Sequence, residues 1–217
     1  MRRLTLASNS PRRIELLGLL GLPFEVSPAD IDEQQGPGET PLAYVRRLAC
    51  EKARFIVKKR VGLVVAADTI VMDGDRLLGK PADPAEARQI LRKLRSREHQ
   101  VVTGLAIVAA SDGRSFADVC GTSVHMRDYT DTEIDAYVAT GDPLDKAGAY
   151  GIQNADFHPV AGLDGCYASV MGLPLCHLAV GLQGFGLDLS RGLPERCQAY
   201  LGHHCTVYNT ILGMAQR

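Results

Sequence analysis

The stretch GLVVAADTIVMDGDRLLGKP, residues 62–81, limits the fold more than any other part of the chain. Its Val- and Ala-rich first half reads as the most apolar strand, Asp73-Gly74 as a hairpin turn, and the remainder as a return strand. Asp68 stands in the middle of that strand, between VVAA and TIVM. A carboxylate in such a place is either paired with a cation or held with a raised pKa. Strand and helix signals alternate through the rest of the chain, which favours an α/β fold.

RRLTLAS, residues 2–8, reads as a strand running into a helix, with Ser10 as N-cap, Pro11 at the first helical position and Gly21 at the end. Leu16, Leu17 and Leu20 give that helix an apolar side. A loop rich in glycine, proline and acids, PADIDEQQGPGETP, leads to Thr40-Pro41, which start a second helix reaching about Lys59. Its apolar stripe is Val45, Leu48, Ala49, Ala53 and Ile56, and Lys52 falls inside it. A lysine there needs an anionic partner or a path to solvent, and on spacing alone snorkelling at the stripe's edge is the ordinary outcome.

Asp83 to Glu86 has capping-box spacing and starts a helix to about Leu94. HQVVTGLAIVAA and RSFADVCGTSVHMRDY read as two long strands joined at Ser111-Asp112-Gly113. Thr130 to Glu133 repeats the capping-box spacing, and Gly141-Asp142-Pro143 stops the helix it opens. PLDKAGAYGIQNADF is irregular, and VMGLPLCHLAVGL suggests a last helix of the main body. A Gly-rich, then Cys- and His-bearing tail follows, so the expected division is a main domain over 1–182 and an extension over 183–217.

A chain of 217 residues with 46% hydrophobic and 23% charged residues suits one soluble domain with two lobes. Lys+Arg 24 against Asp+Glu 25 argues against nucleic acid or a membrane surface as partner, and leaves room for a small anionic ligand. No apolar run is long enough to span a bilayer, and the N-terminal apolar stretch is too short for a signal peptide. A cytoplasmic protein is expected, with its cysteines reduced unless they hold metal.

Charge at unexpected places then points to one kind of ligand. Arg12 and Arg13 crowd a helix start that already carries positive partial charge. Lys52 interrupts an apolar stripe, Asp68 interrupts an apolar strand, and Lys80 follows Gly79 at a strand end. With Ser8, these groups supply fixed positive charge, hydrogen-bond donors and a carboxylate, which is what a polyphosphate site needs. Neither a Walker A nor a G-x-G-x-x-G pattern is present.

The blocks LASNSPRRIELL, PADIDE, EKAR, AADTIV, GKP, HQVVTG, YVATGDPLDKAGAYGIQ and VMGLPL follow one another between Leu4 and about Leu182. In this order they resemble the Maf family of nucleoside-triphosphate pyrophosphatases. The resemblance implies an inosine-triphosphate-pyrophosphatase-like fold: a long mixed β-sheet flanked by helices, with two lobes around a nucleotide cleft. It implies hydrolysis of a nucleoside triphosphate between the α- and β-phosphates, a divalent metal (Mg or Mn), and a homodimer. Asp68 matches the family's proton acceptor. Ser8, Arg12 and Arg13 match the phosphate-binding turn, Lys52 and Lys80 the motif lysines, and Glu33 an acidic position near metal or water. Arg12, Thr69 and Gln153 resemble the branch that prefers dTTP and UTP, and the amide of Gln153 suits the edge of thymine or uracil.

Two departures stand out. After Gln153 the family runs on with glycine, whereas this chain has Asn154-Ala-Asp-Phe-His158-Pro. A bulkier loop there reshapes the base pocket or a subunit contact. The last quarter of the chain gathers Cys166, Cys176, Cys197 and Cys205 beside His177, His203 and His204, which suits zinc or an iron–sulfur cluster in residue type but in no standard spacing. Two other readings remain: a pyrophosphatase for 7-methyl-GTP or another modified nucleotide, and a non-catalytic regulator of septum formation. An intact Asp68, Lys52 and Lys80 speak for catalysis.

Overall fold

The computed structural model describes residues 3–214. β1 (Leu4–Leu6) is buried throughout and pairs in parallel with β2 (Phe24–Val26) on one side and β3 (Leu63–Asp73) on the other. β3 turns back into β4 (Arg76–Leu78) as an antiparallel hairpin. β5 (Glu98–Ala109), β6 (Ser115–Met126) and β7 (Val160–Asp164) follow. Together they form a seven-stranded sheet in the order β2-β1-β3-β5-β6-β7, with β4 on β3. β6 and β7 are antiparallel, so the sheet is mixed.

The helices are α1 (Pro11–Gly18), α2 (Pro41–Val57), α3 (Pro84–Leu94), α4 (Asp131–Ala139), α5 (Tyr167–Val170), α6 (Leu175–Gln183), α7 (Leu193–Leu201) and α8 (Tyr208–Met214). Local chemistry sets most of their starts. Thr40 Oγ1 accepts from Ala43 N–H at 3.3 Å, and Asp83 Oδ1 accepts from Glu86 N–H at 2.8 Å. Thr130 and Glu133 close both bonds of a capping box. At Asp83 the box is open, because the Glu86 carboxylate accepts from Ala82 N–H instead, at 2.7 Å.

The structure revises the first helix. Ser10 is its N-cap, but the Ser10 hydroxyl caps nothing. The Ser10 N–H donates back to Ser8 Oγ at 3.1 Å, so the preceding serine organises the turn. The helix ends at Gly18, with Leu19 as C-cap, three residues short of Gly21. β2, β7, α5, α7 and α8 lie where no element was expected, and the strand read over 2–8 is only Leu4–Leu6, with Arg2 outside the described residues.

Two compact units partition the chain. The first comprises the chain up to Thr69, Thr103–Cys120 and the chain from Gly165. The second comprises Ile70–Val102 and Gly121–Asp164. In the first unit, α2 lies on β3 and β5 through Ala49, Ala53, Ile56, Val64, Ala66, Ala106 and Val108, all buried. Gly104 makes that contact possible: a Cβ there would stand 2.4 Å from Val45 O. Only glycine lets the α2 backbone come so close to β5. The same unit holds the tail, whose α7 and α8 pack on α5 and α6.

Candidate active site

Side chains two apart on a strand share a face, so Asp68 lies on the face of β3 that carries Val64 and Ala66. That is the face against α2, and Lys52 belongs to the α2 stripe that covers it. The lysine and the carboxylate therefore extend an apolar layer with a charged pair. Lys52 Nζ lies 2.6 Å from Asp68 Oδ1, and the two residues are only 8% and 9% exposed. Snorkelling is thereby replaced by pairing.

A second carboxylate joins them. Glu33 Oε1 is also 2.6 Å from Lys52 Nζ, from an exposed position in the acidic loop. α2 itself holds that loop down. Tyr44 Oη donates to Glu33 O at 2.6 Å, and Arg47 donates to Glu39 at 2.7 and 2.8 Å and to Gln34 O at 2.9 Å. The Arg47 guanidinium pulls the Glu39 carboxyl down to about 2. Burial, with the charges of Asp68 and Glu33, raises the Tyr44 phenol above its ordinary range.

Arg13 is built into the fold. Its Nε donates to Gly172 O at 2.9 Å, Nη2 to Thr69 Oγ1 at 3.1 Å and Nη1 to Ser8 Oγ at 3.4 Å. Burial lowers its pKa, and the charge of Asp68 opposes that shift. Behind it, Thr69 Oγ1 and Thr103 Oγ1 are 2.9 Å apart, and Thr103 donates to Ser169 O at 2.7 Å. Gly172 has φ +103°, and a Cβ there would fall 2.9 Å from Arg13 Nε and 3.2 Å from Thr69 Oγ1. Ser8 Oγ accepts from both Ser10 N–H and Arg13, which leaves its own proton to donate. Arg12, half-buried, has no side-chain hydrogen bond or ion pair among the described residues.

Of the residues singled out in the sequence, Ser8, Arg13 and Thr69 are brought together in the first unit, and so are Glu33, Lys52 and Asp68. Lys80 and Gln153 belong to the second unit, where both are exposed. Tyr44, Thr103, Ser169 and Gly172 were missed. Tyr44 reaches back 11 residues to Glu33, and the contacts of the other three join segments far apart in sequence, 159 residues for Arg13 to Gly172. Only the glycine of VMGLPL offered a signal.

The segment carrying Gln153 is pinned at its base within the second unit. Lys146 Nζ reaches Asp142 Oδ1 at 2.8 Å and Asp145 Oδ1 at 2.7 Å. Asp142 Oδ2 accepts from Tyr137 Oη at 2.6 Å and from Asn154 Nδ2 at 3.3 Å. Asn154 Oδ1 in turn accepts from Phe157 N–H at 2.8 Å, so the asparagine after Gln153 ties its loop to the preceding turn. Nearby in sequence, Tyr150 Oη lies 2.7 Å from His99 Nε2. His99 Nδ1 is buried without a partner, and burial pushes the imidazole down to about 4.

Of the cysteines in the last quarter of the chain, Cys166 and Cys176 are buried and Cys197 and Cys205 half-buried. All six cysteines are free thiols. Among the described residues no group of three or more His, Cys, Asp or Glu is placed to hold a metal ion. Cys166, Cys176, Cys197 and Cys205 instead line one small apolar cavity of about 20 Å³, and burial pushes the Cys176 and Cys197 thiols up to about 12.

The first unit of this α/β protein thus carries arginines at a helix entrance and a carboxylate buried against a lysine. The chain belongs to the Maf family: the family model, described as Maf-like protein, matches residues 3–185. It is 47% identical over 190 residues to the dTTP/UTP pyrophosphatase of Moorella thermoacetica, covering 87% of this chain and 98% of that one. It is 44% identical over 190 residues to the dTTP/UTP pyrophosphatase of Desulforamulus reducens, covering 87% and 100%. The Anaeromyxobacter dehalogenans protein of the same name is 47% identical over 189 residues, covering 86% and 96%. Among solved structures, the Staphylococcus aureus Ham1 protein aligns with 58% of this chain and 73% of its own, at 18% identity and a TM-score of 0.44. No described helix is long and apolar enough to cross a membrane.

Proposed function

We propose that this chain hydrolyses dTTP and UTP between the α- and β-phosphates, giving the nucleoside monophosphate and pyrophosphate, as a house-cleaning enzyme of the cytoplasmic nucleotide pool. The single observation that carries the reading is the buried Lys52–Asp68 pair, joined by Glu33. In a protein with no ligand to bind, an apolar pair at these two positions would serve the fold as well or better. The relatives' names support the pyrimidine nucleotides.

In this reading Asp68 accepts the proton of the attacking water. The water oxygen bonds to the α-phosphorus, the bond from that phosphorus to the α–β bridging oxygen breaks, and pyrophosphate leaves with that oxygen and its negative charge. Lys52 pairs with Asp68 in the free protein and turns part of its charge to the triphosphate when it arrives. Ser8 donates its free proton, and Arg12 and Arg13 their guanidinium charge, to phosphate oxygens. Thr69 and Thr103 fix Arg13. Lys80 as a further phosphate contact and Gln153 as the reader of the base rest on their motifs.

The donor set fits a hard divalent cation. Asp68 and Glu33 offer carboxylate oxygens, and with no third protein ligand gathered among the described residues, magnesium or manganese would complete its shell with water and substrate phosphates. Bound there, it would supply charge neutralisation on the phosphates. A homodimer is part of the proposal, on the resemblance alone, and light scattering on the purified chain tests it. The activity is tested by assaying a panel of nucleoside triphosphates with pyrophosphate and phosphate detected separately. Pyrophosphate release confined to purine or modified nucleotides would sink the pyrimidine assignment.

A further inference from the structure

A second concave surface lies at the opposite ends of the strand and helix that build the candidate active site. Ser8 follows the C-terminal end of β1, and Lys52 sits in the body of α2. The other surface is formed by Arg3 and Thr5 of the β1 segment, Glu25 of β2, and Lys58, Lys59, Arg60 and Val61 just beyond α2. It is a half-open hollow of about 500 Å³, within the range of small-ligand pockets. All of these residues belong to the first unit.

Its chemistry is one-sided. Four cations face one carboxylate, an excess of three positive charges. Glu25 is committed to Arg60, at 3.3 Å, and Arg60 also donates to Ser27 Oγ at 3.2 Å. Lys59 Nζ rests 4.7 Å from the centre of the Phe55 ring. The side chains of Arg3 and Lys58 have no hydrogen bond or ion pair among the described residues. Cations after a helix C-terminus complement its dipole, and that accounts for Lys58 to Arg60. It does not account for Arg3, which comes from the neighbouring strand and is held by the bond from Leu63 N–H to Arg3 O at 2.9 Å.

Thr5 is the second, independent observation. It is 2% exposed, it lines the pocket, and its hydroxyl has no hydrogen-bond partner among the described residues. The hydroxyl keeps its donor and acceptor for whatever occupies the pocket.

We propose that this pocket is a second anion site, separate from the candidate active site, and that it takes a compact oligophosphate anion of the pyrophosphate class. A polyanion matches the unpaired charges of Arg3 and Lys58, and the Thr5 hydroxyl donates to one of its oxygens from the floor. Concavity favours a small anion over an acidic peptide, which would meet the same charges from outside. The inference does not depend on the activity proposed above.

The test is calorimetric titration of the full chain with inorganic pyrophosphate at physiological salt, on wild type and three variants. Lys58→Glu/Lys59→Glu removes one binding event. Thr5→Val weakens that event about tenfold, the loss of one hydrogen bond to a charged group, with thermal stability unchanged or raised. Arg13→Ala leaves it in place. The same binding in wild type and in Lys58→Glu/Lys59→Glu overturns the proposal, as does an event that Arg13→Ala abolishes. Binding of poly-glutamate with none of pyrophosphate overturns it too.

Discussion

Lys52 Nζ stands 2.6 Å from Asp68 Oδ1, in a layer otherwise made of alanine, valine and isoleucine. Neither side chain has a reason to be there without the other. Lys52→Met therefore leaves Asp68 buried without its counter-ion. Breaking such a pair from one side costs about 3–5 kcal/mol. Urea denaturation of Lys52→Met should show a loss of this size, and Lys52→Met/Asp68→Asn should recover part of it. Additive losses in the two single variants would mean that the pair is not coupled.

Gly172 keeps Arg13 in place. Alanine there would have to adopt φ +103° and would meet Arg13 Nε at 2.9 Å. The strain alone is worth about 1–3 kcal/mol, and the guanidinium is displaced as well. Gly172→Ala should raise KM for the nucleotide more than it lowers kcat, since phosphate held by Arg13 is bound in ground and transition states alike. Steady-state kinetics give the split. A fall confined to kcat would count against Arg13 as a binding group.

Acid should loosen the second unit. Burial holds the folded pKa of His99 at about 4, against 6.5 for an ordinary imidazole. Between these values the unfolded chain binds the proton and the folded chain does not, so stability is full above about pH 6.5 and falls as pH drops towards 4. The loss from this one group is about 3 kcal/mol. His99→Gln keeps a polar partner for Tyr150 Oη and should flatten stability over that window, as followed by thermal melts from pH 4 to 7. An unchanged slope would place the acid sensitivity elsewhere.

Gln153 is exposed, on a segment tied down by Asn154 and Asp142. Gln153→Ala should narrow the difference in kcat/KM between dTTP and CTP while leaving the metal dependence unchanged. An unaltered base preference would remove Gln153 from the base-reading role.

Much of this is legible in the sequence, and what is not has physical reasons. The hairpin at Asp73-Gly74 and the caps at Thr40, Asp83 and Thr130 announce themselves because each is a local bargain between neighbouring residues. β2 is three half-buried or exposed residues at the sheet's edge, too short for alternation to show. β7 holds a glycine and is only partly buried, so it carries little apolar signal. Lys52 and Asp68 were visible as violations of pattern, each charged where its neighbours are apolar. Thr103, Ser169 and Gly172 violate nothing locally and become meaningful only when β5 and α5 meet Arg13 across the fold. The cysteines left two readings open in the sequence, a metal cluster or free thiols, because residue type alone does not fix geometry; they line a small apolar cavity.

The central claim is that Asp68 takes a proton from water during cleavage of the α–β anhydride. The most direct measurement is the rate and product of dTTP and UTP hydrolysis, with magnesium and with manganese, for wild type and Asp68→Asn. The account predicts nucleoside monophosphate and pyrophosphate from wild type, and a loss of about 10²–10⁴-fold in kcat for a folded Asp68→Asn protein. Inorganic phosphate as the first product, or an Asp68→Asn variant that keeps wild-type kcat, would contradict it.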